Sequence, residues 1–274
     1  MSAAETQELL QEVPEIYHTE INDVLLTALA EVLSEWSGRR QVVVELEGHG
    51  REELFEEVEV SRTVGWFTTI YPVLLEVSET GWSRLGEGAA ASAAGGELKS
   101  IKEQLRRVPE KGIGYGVLRY LSGDEALRER LKRVGRGAQV SFNYLGQFDQ
   151  VVSNAPEVSS ANGGGGEGER LLFGVAEESS GAQVNMANER RQELEINAMV
   201  VGGRLQVAWT YSAARYRRQT IEAAADAYLR ALRTLISHCL QAGVSAYTPS
   251  DFADFKWDQS DLDDIAAAIS KVEG

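Results

Sequence analysis

Cysteine and histidine are scarce in this chain of 274 residues, which contains one cysteine and three histidines. A single cysteine, Cys239, excludes an intrachain disulfide and a zinc site of several thiolates, and it suits a reducing compartment. A metal site would need two histidines at helical spacing or one histidine with converging carboxylates, and His49 stands alone. We therefore predict no metal site.

Positive charge and long apolar runs are also lacking. The 27 basic residues stand against 42 acidic ones, for a formal net charge of −15. Such a chain repels phosphate backbones, so we expect no nucleic-acid partner. No segment reaches the roughly 18 to 20 apolar residues of a membrane span, and the acidic N-terminus does not resemble a secretion signal. We therefore expect a cytoplasmic protein without membrane contact.

The apolar pattern predicts alternating helices and strands. Helices are predicted for Thr19–Trp36, for a segment through Leu98 and Leu105, and for Asp124–Val134, Arg217–Gln241 and Asp261–Ser270. Strands are predicted for QVVVELEG, VGWFTTIYPVLLEV, AQVSFNYLGQF, LLFGVA, ELEINAMVV and RLQVAWTYS, the last two forming a hairpin through Gly202-Gly203. This order predicts an α/β or α+β fold, a mixed sheet flanked by helices.

Local composition adds four expectations. Asn22 or Asp23 is placed to cap the first of these helices. The near-continuous apolar run VGWFTTIYPVLLEV predicts a strand buried on both faces. The small residues of 81–96 predict a linker, and those of 153–169 predict a mobile loop.

The stretch VELEGHGREE, residues 44–53, concentrates charge where the first strand ends. It is no phosphate loop, because neither GxGxxG nor GKS follows, and the chain has no GxSxG elbow for acyl transfer. From the residues alone two interpretations stay open, a solvated turn and a site in which Glu47 acts.

Three further clusters are open in the same way. SRTVGWFTTIYP is typical of core, and the polar Asn143 and Tyr144 of FNYLGQFD need partners if they are buried. The basic run RERLKRVGR, residues 128–136, is either a solvated helix face or a surface for an acidic partner.

Taken in order, these motifs resemble epimerization domains of nonribosomal peptide synthetases, relatives of the condensation domains. The resemblance rests on TEINDVLLTAL, EGHGRE, SRTVGWFTTIYPV, GIGYGVLRYL and SFNYLGQFD, and on the later ELEINAMVVGGRLQVAWTYS, His238-Cys239 and TPSDF. It covers Tyr17 to Phe252 and implies a chloramphenicol acetyltransferase-like fold. The implied domains are an N-terminal lead-in (1–16), the C-terminal lobe of an epimerization domain (17–247) and a tail or linker with a short helix (248–274).

The resemblance also implies a reaction. Such domains invert the α-carbon of an aminoacyl or peptidyl thioester, held on the phosphopantetheine arm of a carrier domain, by removing and returning the α-proton; no cofactor is bound directly. Glu47 matches the family's catalytic glutamate, whose partner is a histidine of an HHxxxDG motif in the N-terminal lobe. This sequence has no His-His pair. Burial in the tunnel between the lobes is expected to raise the pKa of Glu47.

Other site residues are implied by the same match. Arg51 would position Glu47 or moderate the electric field around it, and Asn143 and Tyr144 would orient substrate or stabilise the enolate. The remaining motif residues are tunnel wall (Trp66, Phe67, Thr68) and structural positions (Gly48, His49, Gly50).

The implied partners are a peptidyl carrier domain, the N-terminal lobe and neighbouring synthetase modules. Without that lobe the chain is expected to be inactive and to self-associate through the exposed face. Two alternatives remain, a noncatalytic docking platform for a carrier protein or a separate N-terminal lobe, and half of a condensation-type acyltransferase.

Overall fold

A computed structural model describes residues 1–78, 81–85, 87–147, 181, 185, 188–242, 247–252, 255 and 257–273. The predicted strand LLFGVA and the predicted loop 153–169 lie outside these residues.

The described strands form a five-stranded mixed sheet. They are β1 (Gln41–Gly48), β2 (Thr69–Glu76), β3 (Val140–Gln147), β4 (Leu194–Val201) and β5 (Arg204–Tyr211), and their order across the sheet is β2-β1-β3-β4-β5. The central pairs β1/β3 and β3/β4 are parallel, while the outer pairs β1/β2 and β4/β5 are antiparallel. The predicted mixed sheet and the predicted hairpin are confirmed.

Eight α-helices accompany the sheet in the described part of the chain. They are α1 (Ala3–Gln7), α2 (Val13–Tyr17), α3 (Ile21–Ser37), α4 (Glu87–Arg106), α5 (Ile113–Leu121), α6 (Glu125–Gly137), α7 (Arg218–Ala242) and α8 (Gln259–Glu273). A π-helical turn, Glu8–Glu12, joins α1 to α2, and 3₁₀ turns occupy Trp82–Arg84, Pro109–Gly112 and Pro249–Phe252.

The core lies between one face of the sheet and helices α3, α4 and α7. Alternate strand residues such as Val44, Phe142 and Ile196 are buried on this face, as the two-residue period of a strand requires. Tyr228 of α7 is fully buried, and its hydroxyl donates to the carbonyl of Leu25 in α3 at 3.3 Å. The intervening strand residues, including Glu47 and Asn143, therefore lie on the opposite face.

The predicted linker over 81–96 is wrong, because α4 begins at Glu87. Alanine has the highest helix propensity, and Ala90 and Ala94 are buried. Gly95 gives close packing rather than flexibility, since a Cβ at this position would clash with the ring of His238.

The expectation for β2 is partly wrong. The strand spans only Thr69–Glu76, and among the described strands it lies at the sheet edge and pairs with β1 alone. Ile70 and Leu74 are 38% and 52% exposed, so the strand is buried on one face. Pro72 is tolerated because an edge strand has one row of unpaired backbone groups.

The N-terminal residues are part of the folded unit. Leu9 and Val13 are fully buried, and the Met1 ammonium donates to the carbonyl of Leu205 at 2.9 Å. The cap of α3 also differs from the expectation. Glu20 is the N-cap, and its backbone N–H donates to the side chain of Asp23 at 2.7 Å.

Candidate functional site

A cavity of about 660 Å³ opens where β1 and β3 end. Seven of the sequence-predicted site residues line it: Glu47, Gly48, His49, Trp66, Thr68, Asn143 and Tyr144. Arg51, Gly50 and Phe67 are not among the lining residues. A concave site with a few converging polar groups is the usual form of a binding or active site.

Glu47 and Asn143 face each other across the parallel strands. The register pairs Leu46 with Phe142, which places the next residues of both strands side by side on the cavity face. Asn143 Nδ2 donates to Glu47 Oε2 at 2.8 Å. A neutral amide donor orients this carboxylate without adding charge to it.

The side chain of Glu47 is exposed at the cavity mouth. The expected burial belongs to a tunnel between two lobes, so it stays a prediction. Any water-excluded environment for Glu47 has to come from further protein or from a ligand.

Arg51 does not contact Glu47 by a hydrogen bond or ion pair in the described structure. Its guanidinium donates to the carbonyl of Val60 and lies 4.2 Å from the centroid of the Phe67 ring. These contacts fasten the loop after β1 to the segment that precedes β2. Arg51 therefore shapes the loop, and Phe67 supports its guanidinium.

His49 also has local partners. Its Nδ1 accepts the backbone N–H of Arg51 at 2.9 Å, and its Nε2 lies 3.3 Å from Glu52 Oε1. An acceptor role for Nδ1 places the proton of the neutral ring on Nε2, facing Glu52. Both contacts tie the histidine into its own turn.

Gly50 is required by packing. Its φ is +66°, and a Cβ there would clash with the carbonyl oxygen of Phe67. Only glycine combines this left-handed conformation with so close a backbone approach. The second glycine of EGHGRE thus lets the loop after β1 pack against the backbone of Phe67.

Tyr144 and Trp66 are two of the aromatic residues that line the cavity, together with Tyr71 and Phe142. Trp66 is 91% exposed, whereas Tyr144 is half-buried, and this burial raises the pKa of its phenol. Tyr144 thus keeps its proton at neutral pH and can act as a hydrogen-bond donor.

The opposite wall contains charged residues that the sequence reasoning missed. Arg106 of α4 donates through Nη1 and Nη2 to Asp23 of α3, at 3.0 and 2.8 Å. Asp23 is fully buried, and this desolvation raises its pKa although Arg106 opposes the shift. Lys111 lies 3.9 Å from both Glu20 and Glu52. The sequence signal for this wall was Asp23, an acidic residue next to the apolar residues of α3.

Glu45 was missed as well. It lies two residues before Glu47 on the same face of β1 and is 3% exposed. Arg191 Nη2 donates to it at 2.9 Å, and the Gln192 side-chain amide also donates to it. Burial raises the pKa of Glu45. This carboxylate fastens the segment before β4 to the middle of the sheet.

Among the described residues, no group of three or more His, Cys, Asp or Glu side chains could hold a metal ion. None of the described helices is both long and apolar enough to cross a membrane.

A mixed sheet packed on helices, with a cavity at the strand ends, is the chloramphenicol acetyltransferase-like fold. Trichothecene 15-O-acetyltransferase of Fusarium sporotrichioides shares it at a TM-score of 0.56 and 15% identity, over 86% of this chain and 46% of that chain. The solved epimerization domain from the third module of tyrocidine synthetase B is more similar, with a TM-score of 0.69 and 36% identity over 88% of this chain and 47% of that chain.

The family model for the condensation domain matches residues 2–256. This chain therefore belongs to the condensation-domain family. It is 44% identical over 273 residues to one of the linear gramicidin synthase proteins of Brevibacillus parabrevis, covering 100% of this chain and 3% of that protein. Surfactin synthase subunit 1 of Bacillus subtilis (strain 168) is 37% identical over 97% of this chain and 7% of that protein. The chain thus spans a small part of these synthetases.

Proposed function

We propose that this chain is the C-terminal lobe of an epimerization domain in nonribosomal peptide synthesis. The observation that carries the proposal is the hydrogen bond between Glu47 and Asn143 at the mouth of the cavity. The 36% identity with a solved epimerization domain supports this branch of the family, and it argues against a condensation-type acyltransferase.

The proposed reaction exchanges one proton at the α-carbon of a thioester. A base removes the α-proton, the C–H electron pair forms an enolate with the thioester carbonyl, and an acid returns a proton to the opposite face. Two proton-transfer groups are therefore needed, one on each face of the carbon. Glu47 is one of them, and the second is a residue of the N-terminal lobe.

The other polar groups act on the enolate and on Glu47. The phenol of Tyr144 donates to the developing oxyanion, a role for which its retained proton suits it. Asn143 keeps one carboxylate oxygen of Glu47 occupied and leaves the other directed to the substrate. Neither role requires a bound cofactor.

The substrate arrives on the phosphopantetheine arm of a carrier domain, and the chain alone is inactive. Glu47 is exposed here, and an exposed carboxylate exchanges protons with water instead of the substrate. The N-terminal lobe closes over this face, supplies the second proton-transfer group and excludes water.

The decisive test is reconstitution. The chain is mixed with the N-terminal lobe of the same domain and with an L-aminoacyl carrier domain, and the D form is measured after thioester cleavage. We expect conversion with both lobes and none with either lobe alone. Glu47→Gln should lower the rate by about 10² to 10⁴-fold. Full activity of Glu47→Gln, or conversion by this chain alone, would refute the proposal.

A noncatalytic docking platform is the second candidate, favoured by the exposure of Glu47. The Glu47→Gln variant separates the two functions, because carrier binding should survive this change while epimerization should not. Binding without conversion in the two-lobe mixture would favour the docking platform.

A further inference from the structure

Helix α5 presents its apolar side to solvent. Val117, Leu118 and Leu121 are 55%, 47% and 78% exposed, and with Gly114 they follow the i, i+3, i+4, i+7 spacing of one helix face. The opposite side of α5 packs inward, where the Tyr115 hydroxyl donates to the carbonyl of Leu131 in α6 at 2.9 Å. A soluble helix normally has the reverse arrangement, so the outward stripe marks a contact surface.

Helix α6 adds positive charge to the same hairpin. Arg130, Arg133 and Arg136 are exposed, and no carboxylate of the described residues lies within ion-pair distance of their side chains. Glu129 pairs with Lys132 at 3.1 Å instead. Residues 111–137 contain seven basic and three acidic residues in a chain whose net charge is −15. This local positive charge calls for an acidic partner.

The hairpin of α5 and α6, residues 113–137, starts beside the cavity. Helix α5 follows directly on the turn Pro109–Gly112, in which Glu110 and Lys111 line the cavity. The carbonyl of Lys111 also lies against Gly48, the residue after Glu47. A protein bound to the hairpin is therefore close to the cavity mouth.

We propose that the hairpin 113–137 is the docking surface for the carrier domain, which contacts it with a helix bearing carboxylates around apolar side chains. The inference rests on the proposed function. The exposed arginines favour carboxylates on a partner, the α5 stripe favours apolar side chains, and the nearby cavity favours a partner that delivers substrate. A carrier domain with such a helix combines all three properties.

The test measures binding of the cognate phosphopantetheinylated carrier domain to the full chain by isothermal titration calorimetry. Arg130→Glu/Arg133→Glu and Val117→Ser/Leu121→Ser should each weaken binding by about tenfold. Because all four residues are exposed, circular dichroism should show an unchanged fold. The matched control Arg204→Glu/Arg217→Glu makes the same charge change at exposed sites elsewhere, and its affinity should stay within about twofold of the wild type.

Four outcomes overturn the inference. Unchanged affinity in both hairpin variants places the carrier elsewhere and leaves the epimerase proposal intact. Absence of binding to the wild-type chain also overturns it, while conversion by the two-lobe mixture still decides the epimerase proposal. If the N-terminal lobe competes with the carrier for the hairpin, that lobe is the occupant. If sedimentation shows that the variants abolish a dimer instead, a second copy is the occupant.

Discussion

Lys102 Nζ lies 2.6 Å from Asp251 Oδ1 and 2.8 Å from Oδ2, and it also donates to the carbonyl of Tyr17 at 2.9 Å. Lys102 is 1% exposed. One buried ammonium thus joins helix α4, the end of α2 and the TPSDF segment. The pairing gives TPSDF a structural role, because it fixes the C-terminal segment against the core.

Removal of one member of this buried pair should be costly. Lys102→Met leaves the carboxylate of Asp251 without its cation, and we expect a loss of about 3 to 5 kcal/mol in the free energy of unfolding. Urea denaturation measures it. Lys99→Met is the matched control, because Lys99 lies 3.7 Å from the exposed Asp263, and it should cost about 1 kcal/mol or less. Equal losses in the two variants would contradict the prediction.

A comparison of Gly50 with Gly38 separates the cost of backbone strain from the cost of a steric clash. Both have a φ of +66°, but only Gly50 faces a backbone atom, the carbonyl oxygen of Phe67, while Gly38 has open space. Gly38→Ala should cost about 1 kcal/mol through backbone strain. Gly50→Ala should cost about 2 to 4 kcal/mol, because overpacking adds to the strain. Thermal unfolding of both variants checks the difference, and a Gly50→Ala cost no larger than that of Gly38→Ala would be incompatible with the close approach.

The lowered pKa of Glu5 predicts that the free energy of unfolding falls at acid pH. A hydrogen bond from Arg233, at 2.6 Å, together with Ser2, lowers the pKa of Glu5 from 4.5 to about 2. The folded state therefore favours the ionised form, so the stabilisation is present above pH 4.5 and is lost as the pH falls towards 2. Glu5→Gln should be less stable than the wild type by about 1 kcal/mol or less at neutral pH.

The pH profile is the measurement for this ion pair. The difference between Glu5→Gln and the wild type in the free energy of unfolding should shrink as the pH is lowered from 6 to 2. Glu12→Gln, at an exposed position with no ion pair among the described residues, serves as control and should show no such trend. A constant difference for Glu5→Gln at every pH would contradict the prediction.

Asn143→Ala tests the orientation of Glu47. The hydrogen bond between Asn143 and Glu47 is open to solvent and should contribute less than about 1 kcal/mol to stability, so the melting temperature should barely change. Misorientation of the carboxylate should lower kcat of the reconstituted domain by up to about 100-fold, with a smaller change in KM. Single-turnover kinetics with the aminoacyl carrier domain measures both. A variant with unchanged kcat would show that Glu47 needs no help from Asn143.

Local sequence patterns correctly predicted the helices and strands whose apolar residues have a strong periodicity. The apolar spacing of α3, the β-branched residues of β1 and the Gly202-Gly203 hairpin all appear as expected. The pairing of Glu47 with Asn143 could not be predicted, because it depends on the parallel register of two strands far apart in the chain. The resemblance selected both residues without indicating that they touch.

The errors have physical causes as well. Small residues over 81–96 resemble a linker, yet alanine favours a helix when one side is buried, as Ala94 is. The apolar run of β2 resembles an interior strand, but its place at the sheet edge exposes Leu74. The contacts of Arg51 with Phe67 and Val60 depend on the course of a loop that sequence periodicity does not describe.

The hydrogen bond from Asn143 to Glu47 spans 96 residues, and this separation affects how the chain folds. Parallel pairing of β1 with β3 closes a long loop of chain, so loop-closure entropy opposes and slows it. Helices such as α5 and α6 pair locally and can form early. The cavity is therefore expected to be among the last parts of the molecule to assemble, and a chain halted during folding would have its helices before its site.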